Sequence, residues 1–492
     1  EMTVLALNYS FRANGVSALH GYVSRHMWQE GWKGVPKAEI PIRYVTNGVH
    51  VPSYTGAPMR ALLDNVLGPG WQEQSPDSSI WSKIDEIPDE GLWAVRQLQK
   101  KQLLDFLRAS LPEFFKKFAI PYEKQKEMAA CLTPSSLVIG FARRFAPYKR
   151  ATLLFADLDR LARIVGNAER PVIFVFSGKA HPADTQGIDM LQEVIRHMLD
   201  PRFFGKIFFI EDYNLAVSRL MVQGCDVWLN TPRRPYEACG TSGQKVPVNA
   251  GVNFSISDGW WCEGYNENGW TIGPAVTREY LCGEQSDYDD AGFLYALLEE
   301  KIVPLYFERN FEGMPHDWLL TVRQSMQSLI ARFSSNRMVR EYLNDYYIPA
   351  AQRYAELRDK HNALTKRLAR WKQDVNGRFN SLKIELILIE GLNGEELVGT
   401  QPMQVQVSIL PGGMKPEELL VQLVAGPGDG KGFTDTPDVV DMARTEESTA
   451  DRLVYACAYS PSRSGPHVYG VRVLPVTPGL ASPLETRLVL WG

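Results

Sequence analysis

Lys245 follows a loop of small residues whose composition could bind a phosphate group. The apolar run at 225–229 predicts a buried strand, a turn with two prolines comes next, and a Gly-Thr-Ser-Gly corner at 240–243 precedes the lysine. Backbone N–H groups at a helix start, close backbone approach at glycine and two hydroxyls are the groups that hold phosphate. An ordinary surface loop with a solvated lysine has the same composition, so the segment alone leaves both interpretations open.

A basic cluster follows a second predicted strand at 137–141. A guanidinium can hold a phosphate with two hydrogen bonds, an ammonium adds a compact charge, and each contact shielded from water contributes about 1.5–3 kcal/mol. Four cations cannot all face one small anion, and the alternative is a solvated basic patch. The cluster consists of Arg143, Arg144, Lys149 and Arg150.

The middle of the chain alternates between apolar strand patterns and amphipathic helix patterns. This order predicts an α/β fold with a doubly wound parallel sheet, in which ligands bind beyond the carboxyl ends of the strands. The lack of an early Gly-x-Gly-x-x-Gly motif argues against a dinucleotide dehydrogenase. The predicted strands are 137–141, 172–176, 207–210 and 225–229, and the predicted helices are 153–165, 188–199 and 215–223.

Several segments together resemble the α-glucan phosphorylases, the family that includes glycogen and starch phosphorylases. One such motif is weak evidence, but these occur in the family's order and cover the chain from its start to about residue 350. The resemblance implies a catalytic domain of the GT-B type. The segments are 46–49 (TNGV), 143–150 (RRFAPYKR), 178–180 (GKA), 211–214 (EDYN) and 237–245 (EACGTSGQK), followed by Asn249 and Asp258-Gly259.

The resemblance implies pyridoxal 5′-phosphate as the cofactor. The lysine at the position of Lys245 carries it as a Schiff base, and the cofactor acts through its own phosphate group, which exchanges a proton with the substrate phosphate. The residues that resemble the cofactor's surroundings are Gly240, Thr241, Ser242, Tyr213 and Arg143.

The resemblance also implies a site for a sugar and for a second phosphate. Arg144 and Lys149 resemble ligands of the substrate phosphate, and we expect Arg150 to remain at the surface. Glu237 is the carboxylate expected to accept hydrogen bonds from glucose hydroxyls, without acting as a nucleophile. The expected sugar-side residues are Asn47, Tyr148 and Cys239.

The reaction implied is reversible attack of inorganic phosphate on the terminal glucose of an α-1,4-linked glucan, which gives glucose 1-phosphate with retained configuration, in an allosteric enzyme. Two alternatives stay open. A nucleotide-sugar glycosyltransferase of the same architecture could use the same cations for a diphosphate donor. A non-catalytic glucan-binding or assembly subunit is the other alternative.

Three residues depart from the family's usual pattern. Cys239 stands where many members have Ser, Gln244 where Met is usual, and Pro247 falls inside the helix expected after Lys245. Proline in a helix interior costs about 3 kcal/mol, so the expected helix conflicts with the sequence at this point.

Composition predicts an ordinary globular protein. The 492 residues are 45% hydrophobic and 22% charged, with a net charge of −4 that offers no bulk attraction to nucleic acid or anionic membranes. No apolar run reaches the roughly 20 residues of a membrane span. The cysteines show no metal-ligand spacing, so we expect no metal and free thiols in a reducing cytoplasm. They are Cys131, Cys225, Cys239, Cys262, Cys282 and Cys457.

Four segments are expected along the chain. Residues 1–50 resemble the end of a phosphorylase N-terminal domain, in which His20 lies in a cleft motif without an assigned role. Residues 51–350 form the cofactor- and phosphate-binding domain, 351–377 a helical linker and 378–492 a β-sandwich outside the resemblance. We expect either a homo-oligomer or a separate N-terminal half as partner.

Two patterns make specific structural predictions. Pro88-Asp89-Glu90 predicts a helix start, and the charged residues that follow it are expected to form a solvated face. Leu382, Ile384, Leu386 and Leu388 alternate with other residues, which predicts that all four face one side of a strand.

Overall fold

The computed structural model describes residues 2–274, 286–391, 402–429, 432–434 and 436–492, and these divide into two units. The parallel-sheet unit comprises Asn14–Gly21 and Tyr44–Leu343, and the antiparallel-sheet unit comprises Glu1–Ala13, Tyr22–Arg43 and Asn344–Gly492. Each unit buries an apolar core of its own.

The α-helices of the described residues are divided between the two units. In chain order they are α1 (Met2–Tyr9), α2 (Ala18–Met27), α3 (Val51–Tyr54), α4 (Ala57–Leu67), α5 (Asp89–Lys117), α6 (Tyr122–Ala130), α7 (Leu158–Val165), α8 (Thr185–Leu199), α9 (Leu215–Gly224), α10 (Trp261–Gly264), α11 (Asp287–Leu297), α12 (Val303–Phe307), α13 (His316–Leu329), α14 (Ser335–Tyr342) and α15 (Ile348–Phe379), the last with non-helical backbone at 359–362.

The strands belong mostly to three larger sheets. In chain order they are β1 (Ala13–Gly15), β2 (Ile42–Tyr44), β3 (Leu137–Ala142), β4 (Val172–Ser177), β5 (Ile207–Ile210), β6 (Val227–Asn230), β7 (Val252–Ile256), β8 (Gly269–Ile272), β9 (Lys383–Glu390), β10 (Met403–Leu410), β11 (Leu419–Pro427), β12 (Asp438–Asp441), β13 (Ala443–Arg444), β14 (Leu453–Tyr459), β15 (His467–Pro475) and β16 (Leu490–Trp491).

The parallel sheet has the strand order β5-β4-β3-β6-β7-β8. Every residue of β3, β4, β5, β6 and β7 is buried, as expected for parallel strands that are covered on both faces. The chain builds outward from β3 to β5 and then returns to add β6 on the other side of β3. Such a reversal leaves a crevice beyond the carboxyl ends of the two central strands.

The four strands predicted from the sequence lie where expected, and one of the helices differs. The predicted helix 153–165 is a 3₁₀ turn at Leu153–Phe155 followed by α7. Asp157 causes the break, because its side chain caps α7 by accepting a hydrogen bond from the Arg160 N–H.

The prediction that the charged residues of helix α5 form a solvated face is wrong for two of them. The helix begins at Asp89 as predicted, but Arg96 and Lys100 are fully buried. Both pair with Asp226, at 3.1 Å from Arg96 Nε and 2.7 Å from Lys100 Nζ. The shared carboxylate offsets part of the cost of burying the two cations, and backbone carbonyls accept further hydrogen bonds from both.

The antiparallel-sheet unit contains two four-stranded sheets, ordered β13-β14-β10-β9 and β12-β11-β15-β16. Side chains from both sheets form one buried core, in which Val405 and Val407 of the first sheet meet Val421 and Leu423 of the second. Sharing a core in this way is how two sheets stabilise each other face to face.

The prediction that Leu382, Ile384, Leu386 and Leu388 all face one side is wrong for the second half of strand β9. The register of β9 on β10 shifts between Ser408 and Ile409, and after this irregularity Ile387 and Ile389 pack against the core. Leu386 and Leu388 are instead 43% and 47% exposed. A one-residue irregularity moves every following side chain to the opposite face.

No helix in the described ranges is long and apolar enough to cross a bilayer. The five cysteines within those ranges are free thiols, and Cys282 lies outside them.

The buried ion cluster generates a stability prediction. We expect Asp226→Ala to lower the free energy of unfolding by about 3–5 kcal/mol, because two buried cations lose their counter-ion. Urea denaturation followed by tryptophan fluorescence measures the change. Asp105→Ala is the matched control, since its pairs with Lys101 and Arg108 are exposed and should contribute little to stability. Equal losses for the two variants would contradict the assignment.

Candidate functional site

Two loops leave the carboxyl ends of the neighbouring strands β3 and β6. They are joined by their backbones, since the Arg233 N–H donates to the Tyr148 carbonyl at 2.6 Å. The Thr231 hydroxyl lies 3.1 Å from the Lys149 carbonyl and 3.0 Å from the Arg150 carbonyl. The basic cluster and the segment leading to Glu237 therefore form one connected structure.

Glu237 lies between two cations. Arg143 Nη2 donates a hydrogen bond to its carboxylate, and Lys149 Nζ lies 3.1 Å from Oε2 and 3.5 Å from Oε1. The Glu237 backbone N–H donates to Asp258 Oδ2 at 3.0 Å, which fixes the start of the following loop. Two positive charges against one negative charge leave a net positive site suited to an anion.

Burial and charge act in opposite directions on the pKa of Glu237. Burial raises the pKa of this carboxyl, but the charges of Arg143 and Lys149 outweigh burial and the net shift is downward. Burial, followed by repulsion from Arg143, lowers the pKa of Lys149 to about 8. At neutral pH both Glu237 and Lys149 are therefore ionised.

Arg143 has one hydrogen-bonding group to spare. Its Nη1 is buried and has no hydrogen-bond partner within the described residues, whereas Nη2 bonds to Glu237. A buried guanidinium N–H without an acceptor is costly and uncommon, so the site offers a donor to an anion. Arg144, by contrast, is exposed.

Tyr148 is partly buried beside these cations. Lys149 Nζ lies 5.0 Å from the centre of its ring, within cation–π range. Burial and then the Glu237 carboxylate raise the pKa of the Tyr148 phenol. The structure thus brings Tyr148, Lys149, Arg143 and Glu237 together.

Lys245 does not begin an α-helix, contrary to the sequence prediction. The chain forms two consecutive 3₁₀ turns, Gly243–Lys245 and Pro247–Asn249. Pro247 occupies the first position of the second turn, where a backbone N–H is not required. The conflict between proline and the expected helix is resolved by shortening the helix to these turns.

Lys245 lines a cavity of about 330 Å³. Its ammonium lies 4.5 Å from the centre of the Tyr54 ring, and Thr241 also lines the cavity. The lining residues are Gly48, Val49, His50, Ser53, Tyr54, Leu215, Thr241 and Lys245.

Asn249 holds the two main walls of this cavity together. Its Nδ2 donates to the Tyr54 carbonyl at 2.9 Å and to the Lys245 carbonyl at 3.3 Å. Its Oδ1 accepts from the Gly56 N–H at 2.8 Å. The sequence motifs did not indicate Tyr54 or Leu215 as lining residues. The available signal for Tyr54 is its position seven residues after Asn47, which belongs to the motif at 46–49.

The remaining cofactor-side candidates surround this region. Gly240 has φ +82°, and a Cβ there would lie 3.2 Å from Glu237 Cγ, so glycine suits both its backbone conformation and its close packing. The Ser242 hydroxyl lies 3.4 Å from Asn230 Oδ1. Burial raises the pKa of the Tyr213 phenol, and the Arg143 charge opposes this shift, which places Tyr213 within electrostatic reach of the cluster.

Asn47 and Cys239 both lie beside the Gln244 side chain of the turn that contains Lys245. The Asn47 N–H donates to the Val16 carbonyl at 3.0 Å. Cys239 is buried, and burial raises the pKa of its thiol to about 12, so it is a neutral packing group at physiological pH. His20 has a structural bond, since its Nδ1 accepts from the Val16 N–H at 3.1 Å.

The prediction that Arg150 remains at the surface is wrong, because this residue is only 4% exposed. Its Nε donates to the Thr231 carbonyl at 3.0 Å and its Nη2 to the Pro232 carbonyl at 2.9 Å. Asp287 and Asp290 compensate its charge at 2.9 Å and 2.7 Å. Arg150 therefore braces the two site loops rather than facing solvent.

Comparison with known sequences identifies related proteins. A sequence model of the carbohydrate phosphorylases matches residues 1–270, and one of the glycogen phosphorylase C-terminal domain matches residues 381–492. The second match covers the antiparallel sheets, which the resemblance drawn from motifs did not reach.

Individual relatives are similar over most of this chain. Maltodextrin phosphorylase of Thermococcus litoralis is 34% identical over 495 residues, which cover 100% of this chain and 57% of the relative. Glycogen phosphorylase of Mycobacterium tuberculosis is 36% identical over 492 residues, or 99% of this chain and 56% of the relative. Glycogen phosphorylase of Aquifex aeolicus is 40% identical over 347 residues, or 70% and 49%. The chain spans about half the length of these relatives.

The brace formed by Arg150 generates a prediction about anion binding. We expect Arg150→Lys to raise the Kd for inorganic phosphate about tenfold, because one ammonium cannot bond to two carbonyls and two carboxylates at once. The measurement is the phosphate-dependent rise in melting temperature. Arg323→Lys is the matched control, since Arg323 is also buried and bonds to the Ile87 carbonyl and to Asp89. It should lower stability but leave phosphate protection intact, and equal protection in both variants would contradict the bracing role.

Proposed function

Because this chain belongs to the carbohydrate phosphorylase family, we propose that it provides the cofactor- and phosphate-binding part of a glucan phosphorylase. The proposed reaction is reversible transfer of the terminal glucosyl unit of an α-1,4-linked glucan to inorganic phosphate, giving glucose 1-phosphate with retained configuration. The observation that carries the proposal is that the segment after β6 contains both Glu237, which lies between Arg143 and Lys149, and Lys245, which lines a cavity.

The proposed substrate-phosphate ligands are Arg144 and Lys149. Lys149 is already charged and partly dehydrated beside Glu237, so an incoming phosphate would gain an attractive partner at little further desolvation cost. Arg144 is exposed and could turn toward the same anion. Ionised Glu237 would orient a glucosyl unit by accepting hydrogen bonds from its hydroxyls, with Asn47, Tyr148 and Cys239 nearby.

The Lys245 cavity fits pyridoxal 5′-phosphate in chemical type. It offers a primary amine, an aromatic wall at Tyr54 and the Thr241 hydroxyl, and Arg143 supplies a spare buried N–H in the adjoining cluster. When bound, this cofactor supplies a phosphate group that can exchange a proton with the substrate phosphate. Lys245 would hold the cofactor, while the residues around its phosphate would be Gly240, Thr241, Ser242, Tyr213 and Arg143.

The proposed architecture is that of a GT-B enzyme, with residues 51–350 as the cofactor-binding domain, 351–377 as a linker and 378–492 as a β-sandwich. The order of the parallel sheet, which reverses beside β3, supports the first of these assignments. Residues 1–50 would complete an N-terminal domain that also carries part of the active site. We further propose a cytoplasmic, allosterically regulated enzyme that works as a homo-oligomer or with an N-terminal half.

Trapping the cofactor tests the central assignment. Borohydride reduction of the purified protein and peptide mass mapping should find a pyridoxyl-phosphate mass on the peptide that contains Lys245. The Lys149 peptide is the internal control, because its ammonium is engaged by Glu237 and should stay unlabelled. An unmodified Lys245 in folded protein would contradict the cofactor role. Binding of a sugar nucleotide would then favour a glycosyltransferase, and binding of glucan alone a non-catalytic subunit.

The pKa of Lys149 predicts how phosphate use depends on pH. Because this pKa is lowered to about 8, the ammonium loses its proton as pH rises through 8, and kcat/KM for phosphate should fall there. Lys149→Arg should remove this part of the fall, since arginine stays charged. Both proteins meet the same phosphate species, so the difference between their pH profiles isolates Lys149. Identical profiles would exclude Lys149 as the titrating ligand.

A further inference from the structure

Gln244 lies directly before Lys245 in the same 3₁₀ turn, yet its side chain serves a different region. It is 3% exposed, and its Nε2 donates to the Asn47 carbonyl at 3.0 Å. The same amide nitrogen lies 3.7 Å from Cys239 Sγ. One carboxamide thus contacts two segments with residues proposed for the sugar side.

The hydrogen bond to Asn47 is a principal restraint on that residue. Among the described residues its carbonyl has one other donor, Arg337 Nη2, at the longer distance of 3.4 Å. Arg337 Nη2 is bonded more closely to the Thr46 carbonyl, at 2.7 Å. The bond from Gln244 is therefore the shorter of the two that hold the Asn47 carbonyl. Together with the Asn47 N–H bond to the Val16 carbonyl at 3.0 Å, the bond from Gln244 holds the backbone from which the Asn47 side chain extends.

The contact with Cys239 completes a chain across the turn. Cys239 is packed with Trp260, Trp261 and Phe333, and its carbonyl accepts from the Trp260 N–H at 2.9 Å. This packing gives Gln244 a rigid neighbour on one side while it holds Asn47 on the other. A movement of the Lys245 turn would therefore be transmitted to both segments.

Gln244 acts through its donor group. Its Oε1 is buried and has no hydrogen-bond partner in the part of the chain that the structure describes. An unpaired buried carbonyl oxygen is unfavourable, and a residue with an apolar side chain of similar length would avoid that cost. The hydrogen bond from Nε2 to the Asn47 carbonyl offsets the cost of the unpaired Oε1.

We propose that Gln244 is a positioning residue that couples the Lys245 turn to the glucosyl-binding side of the site through Asn47 and Cys239. This inference rests on the proposed phosphorylase function for its kinetic consequence. Gln244 does not touch the reacting atoms; it sets the affinity for the sugar by fixing Asn47. Phosphate binding and cofactor attachment depend on other contacts and are independent of it.

Two substitutions separate the donor from the volume of the side chain. Gln244→Met keeps the length and removes the donor, and Gln244→Glu keeps the shape but places a carboxylate oxygen against the Asn47 carbonyl. We expect the KM for glucan and for glucose 1-phosphate to rise about three- to tenfold in Gln244→Met, the size expected for one net hydrogen bond, and further in Gln244→Glu. The KM for phosphate, kcat and the pyridoxyl-phosphate label on Lys245 should change little.

Hydrogen exchange provides a readout that does not need activity. Loss of the Gln244 donor should speed amide exchange in the peptide spanning residues 46–49 and leave distant peptides unchanged. Gln422→Met is the matched control, because Gln422 is a buried glutamine of the antiparallel-sheet unit whose Nε2 donates to Asp441 at 2.7 Å. It should affect stability without changing the sugar KM or exchange at 46–49.

The outcomes distinguish this inference from the proposed function. Unchanged sugar KM and unchanged exchange at 46–49 in Gln244→Met would overturn the positioning role. A parallel loss of kcat, phosphate affinity and cofactor label would also overturn it, since the residue would then be a general structural support. If wild-type Lys245 carries no cofactor, the proposed function fails, while faster exchange at 46–49 would still establish the coupling of the two segments.

Discussion

Asp226 joins the two strands from which the candidate site grows. Its backbone N–H donates to the Val138 carbonyl at 2.8 Å, and its side chain accepts from the Val138 N–H at 2.9 Å. The same carboxylate pairs with both Arg96 and Lys100 of helix α5. One buried anion therefore sets β6 beside β3 and attaches the longest helix of the parallel-sheet unit to both strands. The loops that carry Arg143 and Glu237 are neighbours because of this pairing.

Beyond the sheet, the site depends on an imbalance of charge that burial preserves. Glu237 compensates one of its two neighbouring cations, and both remain close because the loops are bonded to each other and braced by Arg150. In water such a cluster would be screened and rearranged, but in a partly buried crevice the excess positive charge is retained for an anion. The excess positive charge of the site therefore depends on the bonds that hold the two loops together.

The Lys245 region is governed by backbone geometry rather than by charge. Short 3₁₀ turns replace a regular helix, and the Asn249 side chain bonds to the Lys245 carbonyl at 3.3 Å, the acceptor that the Asn249 N–H would have in an α-helix. This allows Lys245 to face Tyr54 while Gln244 faces Asn47. Adjacent residues in one turn therefore contact different parts of the site.

The sequence by itself determined the elements with strong local patterns: the buried strands at 137–141 and 225–229, the helix start at Asp89 and the small-residue loop before Lys245. Apolar runs and capping residues act over a few positions, so these features need no distant partner. Only the tertiary structure decided that Arg96, Lys100 and Arg150 are buried. The reason is physical: a long cationic side chain is solvated unless a carboxylate from elsewhere in the chain compensates it, and local sequence contains no record of that partner.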